Sequence, residues 1–428
     1  MKTIFLTLSL LALLPQPPRA EDFGLDRLGA SAFAEAGQGV PVPLEAVAAE
    51  DRAAAPAAPA AAKDWTVMVF LNAKNDLERF GLQDMNEMET VGSSGRVNVV
   101  VQMGRMAGYD SSDGNWTGVR RYYVTKDSDN TRIASRVVQD MGRLNMGDAD
   151  ELRKFIVWAK RQYPARRYAL VVWNHGNGWL RGNPADYEGA SKGISFDDET
   201  GNNIDTPQLR RALADAGGVD ILASDACLMQ MAEVAYEVRR AARFMVGSEE
   251  TEPGAGYNYS RLLSPLVREP GMGAEAFGRV IVDAYWLGNL IGRGVATHSL
   301  LDLSKAGNLA TRMDAFARAA MASTDKAVLR QARADAQKYA IDDNKDLRHF
   351  ASLVQDRASS RALKSAAAAL VNQIDGELVL LNRSSILPRS NSNGIAVYLP
   401  AGRVNGNFAA LALAADTQWD EFLAWLNR

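Results

Sequence analysis

The chain has 428 residues with 48 basic and 51 acidic side chains, a formal net charge of −3, and 47% hydrophobic residues. This length and apolar content suit one large domain or two moderate ones, and the near balance of charge argues against a nucleic-acid-binding protein. Cys227 is the only cysteine, so an internal disulfide is excluded and stability must come from the core.

The first twenty residues are typical of a secretory signal. They begin with the basic residue Lys2, continue with an apolar stretch over residues 4–14, and end in small and proline-rich sequence at Ala20. The apolar stretch is too short to span a bilayer, and no cysteine follows it that could carry a lipid anchor. We therefore expect cleavage after Ala20 and export to a periplasm or the extracellular space, where a retained free thiol favours a chemical role.

Residues 21–63 are rich in alanine, proline and glycine and lack a sustained apolar period. This composition predicts a linker or a mobile pro-region. A short peripheral helix within residues 44–55 is the alternative.

Folded structure is predicted from residue 64 onward. Apolar, β-branched runs predict strands at residues 65–71, 97–103, 119–125, 168–173, 219–223 and 243–247. Helical spacing predicts helices at residues 77–91, 150–164 behind an Asp150 cap, 207–216 behind a Thr206 cap, and 229–240. This alternation predicts an α/β fold with a doubly wound, mostly parallel sheet that carries helices on both faces.

The remaining sequence predicts a mixture of helices and strands. Helical patterns lie at residues 274–290, 306–322, 326–339, 347–374 and 419–426, and strand-like runs lie at 295–303, 378–381 and 394–399. We accordingly divide the folded part into a principal domain over residues 64–303 and a C-terminal region over residues 304–428 that packs on or extends it.

Cys227 follows the predicted strand at residues 219–223, after the short sequence Ser-Asp-Ala. In open α/β sheets the loops beyond the carboxyl ends of the strands form the ligand crevice, so its position makes Cys227 a candidate nucleophile. The alternative is a small buried hydrophobic residue, because a thiol reacts as the thiolate and needs a nearby base or dipole.

His175 is the histidine predicted to lie at a comparable strand end. It follows the strand at residues 168–173 and precedes Cys227 by one crossover, so an imidazole and a thiol could meet at one sheet edge. The spacing of 52 residues is close to the roughly 50 typical of caspases, whose signature also has alanine before the cysteine. His298 is expected to be a packed core histidine, and His349 a solvated or locally bonded one.

Four segments carry a family resemblance. They are Asn-Asp-Leu-Glu at residues 75–78, Trp-Asn-His-Gly-Asn-Gly-Trp at 173–179, Asp-Ala-Cys-Leu-Met at 225–229, and Ser-Glu-Glu-Thr-Glu-Pro-Gly-Ala-Gly-Tyr at 248–257. Together they resemble the clostripain family of cysteine endopeptidases, relatives of caspases, gingipains and legumain. The resemblance covers most of residues 64–303, which it marks as a caspase-like catalytic domain, and Gly-Ile-Ala-Val-Tyr-Leu-Pro at 394–400 also looks like the family.

The resemblance implies a covalent mechanism without a metal or cofactor. The sulfur of Cys227 would attack the scissile carbonyl, while His175 would assist deprotonation of the thiol and protonate the departing amine. The pair would act as a dyad with no third acid. The backbone N–H groups of Gly176 and Cys227 would bind the oxyanion, and the glycine would let substrate approach closely.

The resemblance also implies that Asp225 lies in the pocket for a basic residue preceding the cut, where a buried acid matches arginine or lysine. The alternative is that Asp225 caps the following helix. Basic-specific relatives carry a second acid in the Pro-Gly-x-Gly loop, where this chain has Ala255. We therefore expect a weaker or broader preference unless Glu250 or Glu252 compensates, although acidic loop residues are usually only solvated.

Two further features concern activation and metal binding. Family members are often activated by self-cleavage between the histidine and cysteine segments, and Arg181 and Lys192 are candidate sites; an ordinary surface loop is the alternative. The run Asp197, Asp198 and Glu199 suggests calcium, but its spacing does not fit an EF-hand loop, so no metal site is assigned.

The sequence therefore predicts an exported, monomeric cysteine endopeptidase that acts on protein or peptide substrates and cuts after arginine or lysine. A catalytically inactive binding module on the same fold is one alternative, because fold alone does not establish activity. A thiol transpeptidase that joins chains is another.

Overall fold

Nine strands form one central sheet in the computed structural model, which describes residues 62–179, 193–289, 296–385 and 389–428. Two small two-stranded sheets, β6 with β7 and β11 with β13, accompany it. In chain order the strands are β1 (Lys63–Ala73), β2 (Val97–Arg105), β3 (Gly118–Tyr123), β4 (Arg136–Gly142), β5 (Ala165–Trp173), β6 (Ile194–Asp197), β7 (Asn202–Ile204), β8 (Val219–Asp225), β9 (Ala242–Gly247), β10 (Thr297–Asp302), β11 (Asn344–Asp346), β12 (Val379–Ser384) and β13 (Ala396–Tyr398).

Helices connect these strands. They are α1 (Glu78–Glu89), α2 (Ala149–Gln162), α3 (Thr206–Asp215), α4 (Ala232–Val238), α5 (Tyr259–Arg268), α6 (Ala274–Asn289), α7 (Ala306–Met321), α8 (Lys326–Asp335), α9 (Leu347–Arg357), α10 (Arg361–Gln373), α11 (Ala412–Asp416) and α12 (Trp419–Asn427). None of the helices within the described ranges is long and apolar enough to cross a membrane.

The sheet order is β12-β10-β9-β8-β5-β1-β2-β3-β4. The five central strands, from β9 to β2, are parallel, and the strands at both edges pair antiparallel. This arrangement confirms the predicted α/β fold with a mostly parallel sheet. The carboxyl ends of the parallel strands meet at one edge, which is where a ligand crevice is expected.

Two hydrophobic cores cover the two faces of the sheet. Successive side chains of a strand point to opposite faces, so Val67, Val69 and Leu71 of β1 enter one core while Met68 and Phe70 enter the other. All of them are buried. Strands buried on both faces explain the continuous apolar runs in the sequence.

Several predicted boundaries need correction. The side chain of Asp148, not Asp150, caps α2, and Asp205, not Thr206, caps α3 in a capping box with Gln208. In both cases several residues at the helix start could accept the same backbone N–H groups, so composition alone does not select among them. The helix predicted over residues 347–374 is two helices, because Ser360 caps α10 after an extended break.

The sequence pattern does not predict four of the strands, β4, β6, β7 and β11. Edge strand β4 has mostly exposed side chains, and the hairpin of β6 and β7 is only a few residues long. Neither shows the apolar alternation that marks a longer, half-buried strand.

The region after residue 303 shares the sheet and one core with the region before it. Strand β12 forms an edge of the central sheet beside β10, and the backbone N–H of Ala396 in β13 donates to the carbonyl of Gln230, just after Cys227, at 2.9 Å. The C-terminal region therefore supports the segment that carries the thiol. The predicted signal and pro-region up to residue 61, together with Arg181 and Lys192, lie outside the described residues.

Candidate active site

The ends of β5 and β8 lie side by side in the sheet. These strands are parallel neighbours with Trp173 paired to Asp225, so His175 and Cys227 each lie two residues beyond the same register position. The two loops also touch, because a Cβ added to Gly176 would come within 2.3 Å of the carbonyl oxygen of Cys227. The tertiary structure thus brings the predicted histidine, glycine and cysteine together.

His175 is positioned by a neighbouring asparagine and by an acid. The side-chain oxygen of Asn174 accepts hydrogen bonds from the backbone N–H groups of His175 at 2.6 Å and of Phe196 at 2.8 Å. The Nε2 atom of His175 lies 2.7 Å from Oδ1 of Asp76, which follows the end of β1. This hydrogen bond is the main cause that lowers the pKa of Asp76, so Asp76 is ionised at neutral pH.

Asp76 is a site residue that sequence reasoning missed. It lies in the Asn-Asp-Leu-Glu segment used for the family resemblance, but nothing in the sequence linked it to His175, 99 residues away. Its position after a third parallel strand, adjacent to β5 in the sheet, was the available signal.

Cys227 lies half-buried on a strained turn. The following residue, Leu228, has φ 62, in the left-handed region that costs a non-glycine residue on the order of 1 kcal/mol or more. Its backbone N–H donates to the carbonyl of Glu250 at 3.1 Å, which holds the turn. Such a turn directs the thiol away from the strand axis and toward the sheet edge.

The thiol makes its hydrogen bonds to one residue of a neighbouring loop. Its Sγ accepts from the backbone N–H of Glu252 at 3.1 Å and donates to the carbonyl of the same residue at 3.8 Å. Burial, and then the nearby Glu252 and Glu250 carboxyl groups, raise the pKa of Cys227 to about 12. The raised pKa favours the neutral thiol, and within the described residues no hydrogen bond joins Cys227 to His175.

Asp225 is the last residue of β8, two residues before Cys227. It is 4% exposed, and it accepts hydrogen bonds from the backbone N–H of Tyr257 at 3.0 Å and the hydroxyl of Tyr259 at 2.9 Å. Burial raises the pKa of this carboxyl to about 7. Helix α4 starts only at Ala232 and has no side-chain cap, so the helix-capping alternative for Asp225 is wrong.

The two acids of the loop after β9 are buried rather than solvated. Glu250 accepts hydrogen bonds from Arg389 at 2.7 Å and from the backbone N–H of Ala340 at 3.0 Å. The side chain of Glu252 is 3% exposed, and among the described residues neither of its carboxyl oxygens receives a hydrogen bond from a protein donor. The expectation that such loop acids are solvated is therefore wrong here.

The other two histidines have the surroundings that were predicted for them. His298 is buried, stacks on Tyr285 with ring centres 4.3 Å apart, and lies with Nε2 2.9 Å from the Tyr257 hydroxyl. Burial lowers its pKa to about 3, so His298 is a neutral core residue, although its Nδ1 also approaches Glu252 at 3.6 Å. His349 accepts a local hydrogen bond from the backbone N–H of Gln337 at 2.9 Å.

The three acidic side chains at residues 197–199 already have partners within the protein. Buried Lys74 bridges Asp197 at 3.0 Å and Glu199 at 2.5 Å, and Asp198 accepts from the Tyr109 hydroxyl at 2.9 Å. Across the described ranges no group of three histidine, cysteine or acidic side chains has an arrangement that could hold a metal ion. The calcium hypothesis gains no support from these contacts.

Comparison with known proteins places these features in a family. The family model described as the clostripain family, Peptidase C11, matches residues 69–425. Clostripain of Hathewaya histolytica is 28% identical over 235 residues, a match that covers 49% of this chain and 43% of that protein, so less than half of the relative's length is spanned.

Solved structures share the fold. A secreted C11 cysteine protease from Bacteroides thetaiotaomicron, solved with an irreversible peptide inhibitor, has a TM-score of 0.62 and 22% identity, with 85% of this chain and 99% of that chain covered. An inactive zymogen C11 protease from Parabacteroides distasonis has a TM-score of 0.63 and 18% identity, with 84% of this chain and 99% of that chain covered. At these identities the likeness establishes a common fold.

Proposed function

The chain belongs to the clostripain family of cysteine peptidases, and we propose from its site that it is an endopeptidase that uses His175 and Cys227 to cut peptide bonds after arginine or lysine. The observation that carries the proposal is the register of β5 and β8, which pairs Trp173 with Asp225 and so presents both reactive side chains at one sheet edge.

The chemistry is acyl transfer in two steps. The sulfur of Cys227 forms a bond to the scissile carbonyl carbon, its proton passes to the imidazole, and the C–N bond breaks as His175 returns a proton to the departing amine. Water, deprotonated by the same imidazole, then hydrolyses the thioester. Because Nε2 of His175 is engaged by Asp76, Nδ1 is the nitrogen that exchanges the proton.

The oxyanion is bound by backbone N–H groups. We assign this role to the N–H groups of Gly176 and Cys227, because the two loops that carry them approach closely at this sheet edge. Such preorganised donors stabilise the negative charge that develops on the carbonyl oxygen.

Selection of a basic side chain is assigned to the crevice beneath the thiol. Asp225 is buried two residues before the nucleophile, and no lysine or arginine of the described chain pairs with it. A buried carboxylate without a counter-ion favours a cationic ligand, and arginine can bind it through two parallel hydrogen bonds.

Export and self-activation complete the proposal. The N-terminal twenty residues have the pattern of a secretory signal, and one structural neighbour is described as secreted. Activation by cleavage at Arg181 or Lys192 would match the proposed specificity for basic residues, and mass spectrometry of the purified protein would detect it.

A peptide library tests the proposal directly. Wild-type protein is expected to cleave after arginine and lysine, Cys227→Ala and His175→Ala are expected to be inactive, and an arginyl acyloxymethyl ketone is expected to label Cys227 stoichiometrically. Absence of both cleavage and labelling would favour the inactive binding module, and cleavage after uncharged residues would remove the role of Asp225. Joined chains formed with an added amine would instead indicate a transpeptidase.

A further inference from the structure

Next to the carboxyl of Asp225 lies a second buried carboxyl group, that of Glu252, which has no role in the chemistry above. We propose that Asp225 and Glu252 form a two-acid binding site that shares one proton when empty and releases it when an arginine or lysine side chain enters. The inference rests on the proposed function and names a second specificity-determining residue for it.

The contacts of Glu252 indicate a group that lacks its partner. Both carboxyl oxygens are buried, and within the described residues neither accepts a hydrogen bond from a protein donor. Their titratable neighbours are the carboxyl of Asp225 and Nδ1 of His298, which at 3.6 Å is too far for a good hydrogen bond. A buried carboxylate without donors is costly, so the arrangement is stable only if one of the two acids carries a proton and donates it to the other.

The backbone holds this carboxyl in place. The backbone N–H of Glu252 is bonded to the sulfur of Cys227 at 3.1 Å, and Glu250 is anchored to Arg389. On the other side, Gly256 has φ 45, and a Cβ there would lie 2.3 Å from Oδ1 of Asp225. The loop that carries Glu252 therefore packs directly against Asp225.

The surroundings are acidic or neutral. Burial, and then the Asp225 charge, raise the pKa of Glu252 well above its ordinary value. The titratable groups that face the pair are Asp84 and Glu87 on α1, Glu250 and Tyr257 on the loop after β9, Tyr259 on α5, Tyr285 on α6, His298 on β10, and Cys227. His298 remains neutral because burial lowers its pKa to about 3.

Entry of a cationic side chain changes the protonation of the acid pair. With one shared proton the pair carries a single negative charge, and a guanidinium or ammonium group favours the second ionisation and supplies the donors that Glu252 lacks. The proton then leaves to solvent. Glu252 thereby takes the place of the acid that is absent at Ala255, and preference for basic residues is retained.

Proton release can be measured with an inactive variant. The Cys227→Ala protein would be titrated calorimetrically at pH 6.5, in two buffers of different ionisation enthalpy, with an N-acetylated peptide that ends in arginine amide. The expected result is release of about one proton per bound peptide and a Kd that falls about tenfold per pH unit until the pair is fully ionised. The same peptide with citrulline is expected to bind weakly and release no proton.

Substitution of the second acid separates the outcomes. With Glu252→Gln in the Cys227→Ala background, only the proton held by Asp225 itself, with its pKa of about 7, should remain to be released. The proton release and the pH slope should therefore be smaller and should end near pH 7, whereas the exposed control Glu275→Gln should keep both unchanged. If the Cys227→Ala protein, with Glu252 unchanged, bound the arginyl peptide without releasing a proton, this inference would be overturned. The proposed cleavage after arginine would remain intact. Failure of the arginyl peptide to bind, together with no cleavage by wild type, would overturn the proposed function itself.

Discussion

Oδ1 of Asp76 lies 2.7 Å from Nε2 of His175, so a carboxylate at the end of β1 orients the imidazole at the end of β5. A His-Cys dyad without a third acid is what the family resemblance implies. The geometry instead gives the histidine a positioning residue on a third neighbouring strand.

Asp76→Asn should therefore slow the reaction without weakening substrate binding. An amide cannot stabilise the imidazolium as a carboxylate does, and kcat should fall about 10- to 100-fold with KM little changed. Steady-state kinetics against pH would measure this. Asp140→Asn is the matched control, because Asp140 lies on the edge strand β4 and pairs with Arg120.

Partial recovery of kcat in Asp76→Glu would support an orienting role. If Asp76→Asn had wild-type kcat and an unchanged pH profile, the contact would have no part in catalysis. Loss of activity that merely followed loss of folded protein in a thermal melt would have the same meaning.

The thiol of the free enzyme should react slowly with a small alkylating agent. Burial raises the pKa of Cys227 to about 12, so the thiol form dominates at neutral pH and the rate with iodoacetamide at pH 7 should be roughly 100- to 1,000-fold below that of free cysteine. The rate should rise with pH through pH 10, as followed by intact mass. Fast alkylation that is independent of pH between 6 and 8 would instead show a thiolate-imidazolium pair in the resting enzyme.

Gly176→Ala should displace the nucleophile loop. The new Cβ would lie 2.3 Å from the carbonyl oxygen of Cys227, and relief of such a clash typically costs about 1–3 kcal/mol. We expect a lower free energy of unfolding in urea and loss of peptidase activity. Gly402→Ala is the matched control, because nothing lies within 4 Å of its added Cβ; equal behaviour of the two variants would contradict the close approach.

Stability should depend on pH through a second buried acid pair. The hydroxyl oxygen of Tyr339 lies between them, 2.7 Å from Oε1 of Glu249 and 3.2 Å from Oδ2 of Asp346. Burial, and then the Asp346 charge, raise the pKa of Glu249 well above its ordinary value, and burial also raises that of Asp346. The folded state therefore binds more protons than the unfolded chain above the ordinary carboxyl pKa, and stability should fall as pH rises through that window.

Glu249→Gln should flatten this dependence. Glutamine resembles the protonated acid, so the variant should lose less stability than wild type between pH 5 and pH 8, by on the order of 1 kcal/mol for each pH unit of the window. Urea unfolding at both pH values would measure the difference, with Glu275→Gln as an exposed control. An unchanged pH dependence in Glu249→Gln would show that this pair does not bind the extra proton.

The local pattern of the chain was sufficient for the fold class and for two of the candidate site positions. Apolar strands alternating with amphipathic helices imply parallel strands whose carboxyl ends share an edge, and His175 and Cys227 each follow such a strand. Asp225 needed the family resemblance as well, since an aspartate before a helix is equally compatible with a cap.

Only the tertiary structure decided which side chains contact His175 and Cys227. Asp76 meets His175 across 99 residues and Glu252 meets Cys227 across 25, and the burial of Glu252 depends on walls contributed by α6 and β10. A sequence reports which residues can ionise and which elements they follow, but the desolvation and the hydrogen bonds that set their protonation depend on elements that are distant along the chain. For this reason the strand ends could be predicted from the residues, whereas the orienting acid and the acid pair could not.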